Sequence, residues 1–393
     1  MNRRVYFDYS ATTPMKKEVL EEMLPFFNTD FGNPSSIHSY GRQGKTALDI
    51  ARDKVAKTLN AKSEEIFFTG GGSEADNWAI KGAAFASRSK GNHIITTKIE
   101  HHAVLHTCEY LEKEGFEVTY LDVDQYGLID MDDLKNAIKE NTILITIMYA
   151  NNEIGTIQPI KEIAHLAKEK NIIFHTDAVQ AYGNEIIDVH ELGVDLLSIS
   201  AHKVYGPKGV GALYIRKGLR IHPLIHGGAQ EKRRRAGTEN IPGIVGFGKA
   251  AELAYENMEG HINKMETMRN RLIKEIMETI PYTKLNGHPT KRLPGNVNIS
   301  FEFIEGESLL LSLDMVGIAA SSGSACTSGS LDPSHVLMAI GLSHEIAHGS
   351  LRLTVGDFNT EEDVDYVIEK LPPIVDRLRQ MSPLYEKVKG GNK

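Results

Sequence analysis

The chain has 393 residues and a formal net charge of -8 at pH 7, enough length for two or three domains and no electrostatic footprint for direct nucleic-acid binding. It is 41% hydrophobic and 24% charged, an ordinary globular balance, and no apolar stretch reaches the ~20 residues of a membrane span. Its two cysteines, Cys108 and Cys326, exclude a disulfide framework and a four-cysteine zinc site and fit a reducing, cytoplasmic setting.

In chain order, Met1-Asn2-Arg3-Arg4 leads without a signal peptide into a short strand, VYFDYS. From about residue 64 to 215 strand-like and helix-like segments alternate. EIFFT, HIITT (93–97), EVTYL (117–121), TILITIMY (142–149), IIFHT (172–176) and DLLSIS (195–200) read as strands. SEADNWAIKGAAFAS reads as a helix, as does PIKEIAHLAKEKN, with Ile160, Ile163, Ala164 and Ala167 on one face. This alternation predicts an α/β fold, a mostly parallel central sheet flanked by helices, with ligands at the carboxyl ends of its strands. The basic run Lys232–Arg235 reads as a solvated loop. After Gly260 a long amphipathic helix, INKMETMRNRLIKEIMETI, precedes the alternating strand GNVNISFEF, with Val297, Ile299, Phe301 and Phe303 on one face. A Thr360-x-x-Asp363 capping box opens a last helix, expected to break or kink near Pro372-Pro373. The predicted division is a large α/β domain, 15–260, and a smaller α+β domain built from 1–14 plus 261–393.

The segment ends carry the chemistry. FFT runs into Gly70-Gly71-Gly72-Ser73-Glu74 and then a helix, so backbone N–H groups and a hydroxyl form an anion cradle suited to phosphate. No Gly-Lys-Ser/Thr follows, so it is not a P-loop. HIITTKIE ends in His101-His102, TIMYA in Asn151-Asn152-Glu153, IIFHT in Asp177 with Gln180 three residues on, and LLSIS in His202-Lys203. Five strands thus bring polar residues to one edge. An acid, a lysine, a flat polar ring and a phosphate cradle together suit pyridoxal 5′-phosphate (PLP). Its aldehyde condenses with lysine, its ring nitrogen wants a carboxylate and its phosphate wants N–H donors. Lys203, at the tip of a strand, is then the covalent tether.

The motifs SISAHKVYGPKGVGALYIR, HTDAVQAYG, YANNEIGTIQPI, RRRAGTEN and SSGSACTSGSLDPSHVL resemble those of the cysteine desulfurases of the NifS/IscS type, PLP enzymes of fold type I close to the class V aminotransferases. The resemblance covers nearly the whole chain, and the Gly-Ser-Ala-Cys-Thr-Ser segment is its most selective part. It implies that Lys203 binds the cofactor aldehyde and moves the Cα proton, that Asp177 pairs with the pyridine nitrogen, that Gln180 hydrogen-bonds the phenolic oxygen, and that His101 stacks on the ring. Gly72, Ser73, Ser200 and His202 would hold the phosphate, with Thr238 reaching it from the other subunit of a homodimer. Asn152 and Arg352 would bind the substrate carboxylate, a guanidinium fork being suited to it. The family often has Ala-Thr or Gly-Thr where this chain has Gly72-Ser73, and serine keeps the hydroxyl.

Cys326 lies in a Gly/Ser/Pro-rich segment that reads as a loop of the small domain. The resemblance makes it the nucleophile that takes sulfur from L-cysteine as a persulfide, leaving L-alanine, and passes it to an acceptor such as an Fe–S scaffold protein or a thio-cofactor or tRNA pathway. Cys108, in the helix-like AVLHTCEYLEKE, reads as a packing residue. His102 and His106 have the i, i+4 spacing of a zinc pair, but no third ligand or HExxH pattern accompanies them, and no metal is expected. An aminotransferase or a selenocysteine lyase of the same class is the alternative enzyme, and a scaffold without chemistry the non-enzymatic one.

Overall fold

A computed structural model describes residues 3–322 and 333–390. Among the described residues twelve strands form three sheets. Seven of them are β2 (Ile66–Thr69), β3 (His93–Thr97), β4 (Glu117–Leu121), β5 (Thr142–Thr146), β6 (Ile173–Asp177), β7 (Leu196–Ser200) and β8 (Gly211–Ile215). They are ordered β2-β8-β7-β6-β5-β3-β4. Pairing is parallel from β7 through β4, and β8 alone runs against its neighbours β7 and β2. Two antiparallel steps restore direction, so β2 points the same way as β7.

Both faces of this sheet are covered, as the apolar runs require. Leu197, Ile199, Phe174 and Ile145 pack on one side with Leu48, Val55, Ile244 and Phe247 from helices Ser39–Thr58 and Ile241–Glu256. Leu196, Leu213, Ile94 and Leu144 pack on the other with Ala79, Ile80 and Ala83 from helix Gly72–Ser87 and with Val104, Cys108 and Leu111 from helix His102–Lys113. Adjacent residues such as Leu196 and Leu197 face opposite layers, the two-residue period of a strand. Cys108 is wholly buried there, and burial pushes its thiol far up, so it is a packing group as expected.

The remaining strands are β1 (Val5–Tyr6), β9 (Thr283–Leu285), β10 (Asn296–Phe301), β11 (Ile318–Ala319) and β12 (Ser350–Thr354). β12-β10-β9 is an antiparallel sheet, β1 pairs in parallel with β11, and the bridges Asp8–Thr354 and Ser321–Arg352 join the two. Val5, Phe7, Met268, Leu272, Val297, Ile299, Phe301, Leu351, Val364, Val367 and Leu371 make their separate core.

Three sequence expectations are corrected. The capping box at Thr360 and Asp363 is formed, but helix Glu361–Gln380 runs through Pro372 and Pro373 without interruption, and a further helix, Pro383–Gly390, follows. The lost amide donors are tolerated because Val364, Val367, Leu371, Ile374 and Val375 anchor both halves to one core. β10 ends at Phe301, and Phe303 leaves its face with φ 68°. The opposite face of β10 is buried as well: Asn296 and Asn298 donate to the Glu153 carbonyl at 3.1 and 3.0 Å, tying the small sheet to the large one. The basic run is only partly solvated. Arg235 forks onto Glu74 at 2.8 and 3.0 Å, and Arg234 lies 5.0 Å over the Phe67 ring. At its start Glu231, just before the run, and Lys232 and Arg233, within it, all have positive φ, a strain of roughly 1–2 kcal/mol per residue. The buried Arg52–Glu231 fork, at 2.7 and 2.6 Å, and the Phe68 N–H bond to Glu231 at 2.9 Å hold that turn.

Candidate active site

Because β2, β3, β5, β6 and β7 share a direction, their carboxyl ends open on one cavity of about 440 Å3. It is lined by Gly72, Ser73, His101, Asn152, Asp177, Gln180, Ser200, His202, Lys203 and Arg352. β4 sits at the sheet's margin and contributes nothing to it. Ten residues named from the sequence are therefore brought together. Thr238 is exposed and does not line this cavity within one chain. Cys326 lies outside the described residues.

Lys203 ends the single 3-10 turn Ala201–Lys203 that terminates β7. Its Nζ donates to the carbonyls of Ser10, in a very short bond, and of Ala11 at 2.8 Å. Gln180 Nε2 donates to the same Ser10 carbonyl at 3.0 Å. The N-terminal segment thus closes one side of the cavity. Asp177 is the last residue of β6, 7% exposed, with Oδ1 accepting the Val179 N–H at 2.9 Å. Burial raises its pKa, while that N–H and the Lys203 charge pull it back.

His101 caps helix His102–Lys113. Its Nδ1 accepts the Ala103 N–H at 3.1 Å, so the proton of the neutral ring belongs on Nε2. Burial and then Lys203 lower its pKa to about 4, keeping the ring uncharged at neutral pH. His202 bonds Thr12 Oγ1 through Nδ1 at 3.1 Å and is likewise lowered to about 4 by burial and the neighbouring lysines. Gly72, Ser73, Ser200 and His202 also line an adjoining opening with Gly70, Gly71 and Lys208. Gly71 has φ 150°, and a Cβ on Gly72 would stand 2.7 Å from Val179 Cγ2, so both positions need glycine.

At the opposite end Arg352, 1% exposed, comes from β12 of the small sheet. Its Nη1 donates to the Asn152 carbonyl at 3.0 Å and its Nη2 to Asp8 Oδ1 at 2.9 Å, while Nε has no partner. Asp76, His102, Glu153 and His335 also line the cavity, and sequence reasoning gave them no role. Asp76 was findable, one helical turn beyond Gly72. Glu153 is wholly buried, accepts the Ser334 hydroxyl, and is raised to about 7 by burial. His335 bonds the Glu100 carbonyl through Nε2 at 3.0 Å, and its ring lies 4.8 Å from His102, a contact that nothing in the sequence signals. Among the described residues no cluster of His, Cys, Asp or Glu could hold a metal ion, and no helix is long and apolar enough to cross a membrane.

The class-V aminotransferase model matches residues 5–367. The chain belongs to this family, in its cysteine desulfurase branch. It is 64% identical over 388 residues to the cysteine desulfurase IscS of Clostridium botulinum, covering 98% of each chain. To the IscS of Methanosarcina thermophila it is 63% identical, covering 98% of this chain and 95% of that one. Among solved structures, a NifS-like protein superimposes with a TM-score of 0.90 at 42% identity, over 96% of this chain and 100% of that one. A structure described as SspA in complex with cysteine gives 0.81 at 41%, over 90% and 99%. These neighbours share the PLP fold type I architecture, and the family works with PLP.

The cavity suits that cofactor on its own terms. Ser200 Oγ, at the phosphate-suited end, and Asp76 Oδ1, at the acidic wall, are buried without partners. A lysine amine, a carboxylate and an uncharged imidazole converge between a glycine-lined helix start and a guanidinium. These are the donors and acceptors that a phosphate, a pyridine nitrogen, an aldehyde and an amino-acid carboxylate require.

Proposed function

We propose that this chain is a cysteine desulfurase that converts L-cysteine to L-alanine and takes the sulfur as a persulfide on Cys326. One observation carries this reading: Lys203 and Asp177, from the ends of adjacent strands, meet in a cavity bounded by Gly72–Ser73 at one end and Arg352 at the other. PLP, when bound, supplies the electron sink that weakens bonds at the substrate's α-carbon.

The chain's own residues do the rest. Gly72, Ser73, Ser200 and His202 would hold the phosphate, Asp177 would keep the ring nitrogen protonated, and Gln180 would hydrogen-bond the phenolic oxygen. Lys203 would hold the cofactor's aldehyde and, when its amine is free, would take the substrate's Cα proton at Nζ. His101, uncharged and pinned through Nδ1, offers a flat face to the ring and a single N–H at Nε2. Arg352 and Asn152 hold the substrate carboxylate, which orients its sulfur. The Cys326 thiolate attacks that sulfur, the C–S pair goes to the organic fragment, and the fragment takes protons and leaves as alanine. The persulfide passes to an acceptor protein, an Fe–S scaffold or a thiolation relay.

The separate apolar cores support the two-domain division, 15–260 and 1–14 plus 261–393. Homodimerisation is supported by the exposed Phe27, Phe31, Ile37 and Tyr40, with Phe31 and Tyr40 rings 5.5 Å apart. Thr238, exposed in one chain, would complete the partner's phosphate site. The reducing setting inferred from cysteine usage supports a cytoplasmic location. The deciding experiment is incubation of the cofactor-loaded protein with L-cysteine and a reductant. Equimolar alanine and sulfide are expected, and keto-acid formation without sulfide refutes the reading in favour of an aminotransferase.

A further inference from the structure

Cys326 belongs to the stretch between Ser321 and Ser334, and both of those residues are bonded to residues at the end of the cavity where Arg352 stands. On the upstream side Ser321 and Arg352 exchange backbone hydrogen bonds, the Ser321 N–H donating at 3.2 Å and the Arg352 N–H at 2.7 Å. On the downstream side the Ser334 hydroxyl donates to Glu153 Oε2. The same Ser334 Oγ accepts the Leu337 N–H at 3.2 Å, as the N-cap of helix His335–Ala339. A hydroxyl has one proton, so Ser334 gives it to Glu153 and keeps a lone pair for the helix.

Glu153 is held in its turn. Asn151 Oδ1 accepts the N–H groups of Glu153 and Ile154 at 2.9 and 3.0 Å, and Asn151 Nδ2 donates to the Ile99 carbonyl at 2.8 Å. This Asx turn fixes the local backbone. The Glu153 carbonyl takes Asn296 and Asn298 of β10, and the preceding carbonyl, that of Asn152, takes Arg352 Nη1 at 3.0 Å. A closed ring of contacts therefore runs from Ser321 to Arg352, Asn152, Glu153 and Ser334, and the stretch with Cys326 begins and ends on it. An apolar seat reinforces the downstream end. Val336, Leu337 and Ile340 pack with Ile99, Met148 and Ile154, which lie in the turns after β3 and β5, apart from the core of the small sheet.

We infer that Glu153 is a positioning residue for sulfur transfer: through Ser334 it anchors the returning end of the Cys326 stretch beside the residues that would hold the substrate carboxylate. The inference rests on the proposed function for the role of Cys326 alone. A tether fixed at both ends confines the thiol near the substrate and raises its effective concentration there. Freeing one end lowers that concentration and leaves the cofactor site and the guanidinium fork as they were.

Single-turnover mixing of the holoenzyme with L-cysteine, followed by acid quench and mass spectrometry of the Cys326 persulfide, tests this in a double-mutant cycle of Glu153→Leu and Ser334→Ala. Each single variant is expected to form the persulfide about tenfold more slowly, with KM and the cofactor's visible band unchanged. The double variant is expected to be no slower than either. Glu153→Gln and Ser334→Thr, which keep an acceptor and a donor, are expected to stay within about twofold of the wild type. Glu153→Leu leaves the helix cap in place, so its loss belongs to the anchor and not to the cap. Amide exchange across residues 334–340 is expected to quicken in Glu153→Leu and not in Glu153→Gln. Wild-type persulfide rates in both single variants overturn the inference. So do losses that multiply in the double variant, a KM that rises with them, or unchanged exchange in Glu153→Leu. If Glu153→Leu does not fold, Ser334→Ala against Ser334→Thr decides by the same two readouts. A wild type that forms no persulfide refutes the proposed function instead, and the exchange result still decides whether Glu153 anchors the stretch.

Discussion

Arg352 Nη2 stands 2.9 Å from Asp8 Oδ1, a part-buried ion pair between residues 344 apart in the chain. β12 delivers the guanidinium and the segment after β1 delivers its counter-charge, so the two pieces of the small domain meet at this pair. A substrate carboxylate would enter this ready-made fork. Arg352→Lys keeps the charge and loses the bidentate geometry. KM for L-cysteine is expected to rise about tenfold or more, the loss of about 1.5–3 kcal/mol of charge-assisted bonding, with the visible band intact. Steady-state kinetics checks it, and an unchanged KM removes Arg352 from substrate binding.

Lys203 donates to the backbone carbonyls of Ser10 and Ala11 at the cavity wall. Borohydride reduction followed by peptide mapping is expected to place the cofactor on Lys203. Lys203→Ala should be colourless after dialysis. An adduct on another lysine contradicts the assignment.

Cys108 is sealed in the core, so Cys326 is the remaining thiol. Cys326→Ala is expected to keep the yellow cofactor and to lose sulfide release from cysteine by at least 100-fold, consistent with loss of a covalent nucleophile. Retained sulfide production in that variant rejects the persulfide route.

Glu153 gives a pH signature. Its folded pKa, about 7, lies above the ordinary 4.5. The folded state therefore binds the proton more tightly, and the stabilisation is complete below pH 4.5 and is lost as pH rises through 7. Glu153→Gln retains an acceptor for Ser334 and does not titrate. Wild-type Tm minus variant Tm is expected to fall between those pH values and to be flat above them. A constant difference in calorimetry refutes the burial argument.

Ile37 is 92% exposed and Phe31 65%. Ile37→Asp with Phe31→Asp is expected to convert a dimer to a monomer in light scattering, with weaker cofactor retention through loss of Thr238. A wild type that is monomeric and fully active ends the shared-site picture.

The strands and helices of the large layer were legible because their apolar periods are strong: β3 and β4 coincide with the segments read from sequence. Chain order also disclosed part of the site, since parallel strands must place their ends together, and Lys203, Asp177 and His101 reach the cavity, whereas Arg352, on β12 of the other sheet, was named only from the family resemblance. Local pattern could not show what a distant layer would compensate. Pro372 and Pro373 are tolerated in a helix because the small core holds both of its halves, and the polar face of β10 is buried because Glu153 offers it a carbonyl. Sequence determined which groups could do chemistry. Only the tertiary structure decided their neighbours and hence their charge: His335 against His102, and Asp76 beside Asp177. Hydrophobic period is a property of a short segment, whereas a carboxyl's proton depends on everything packed within a few ångströms of it.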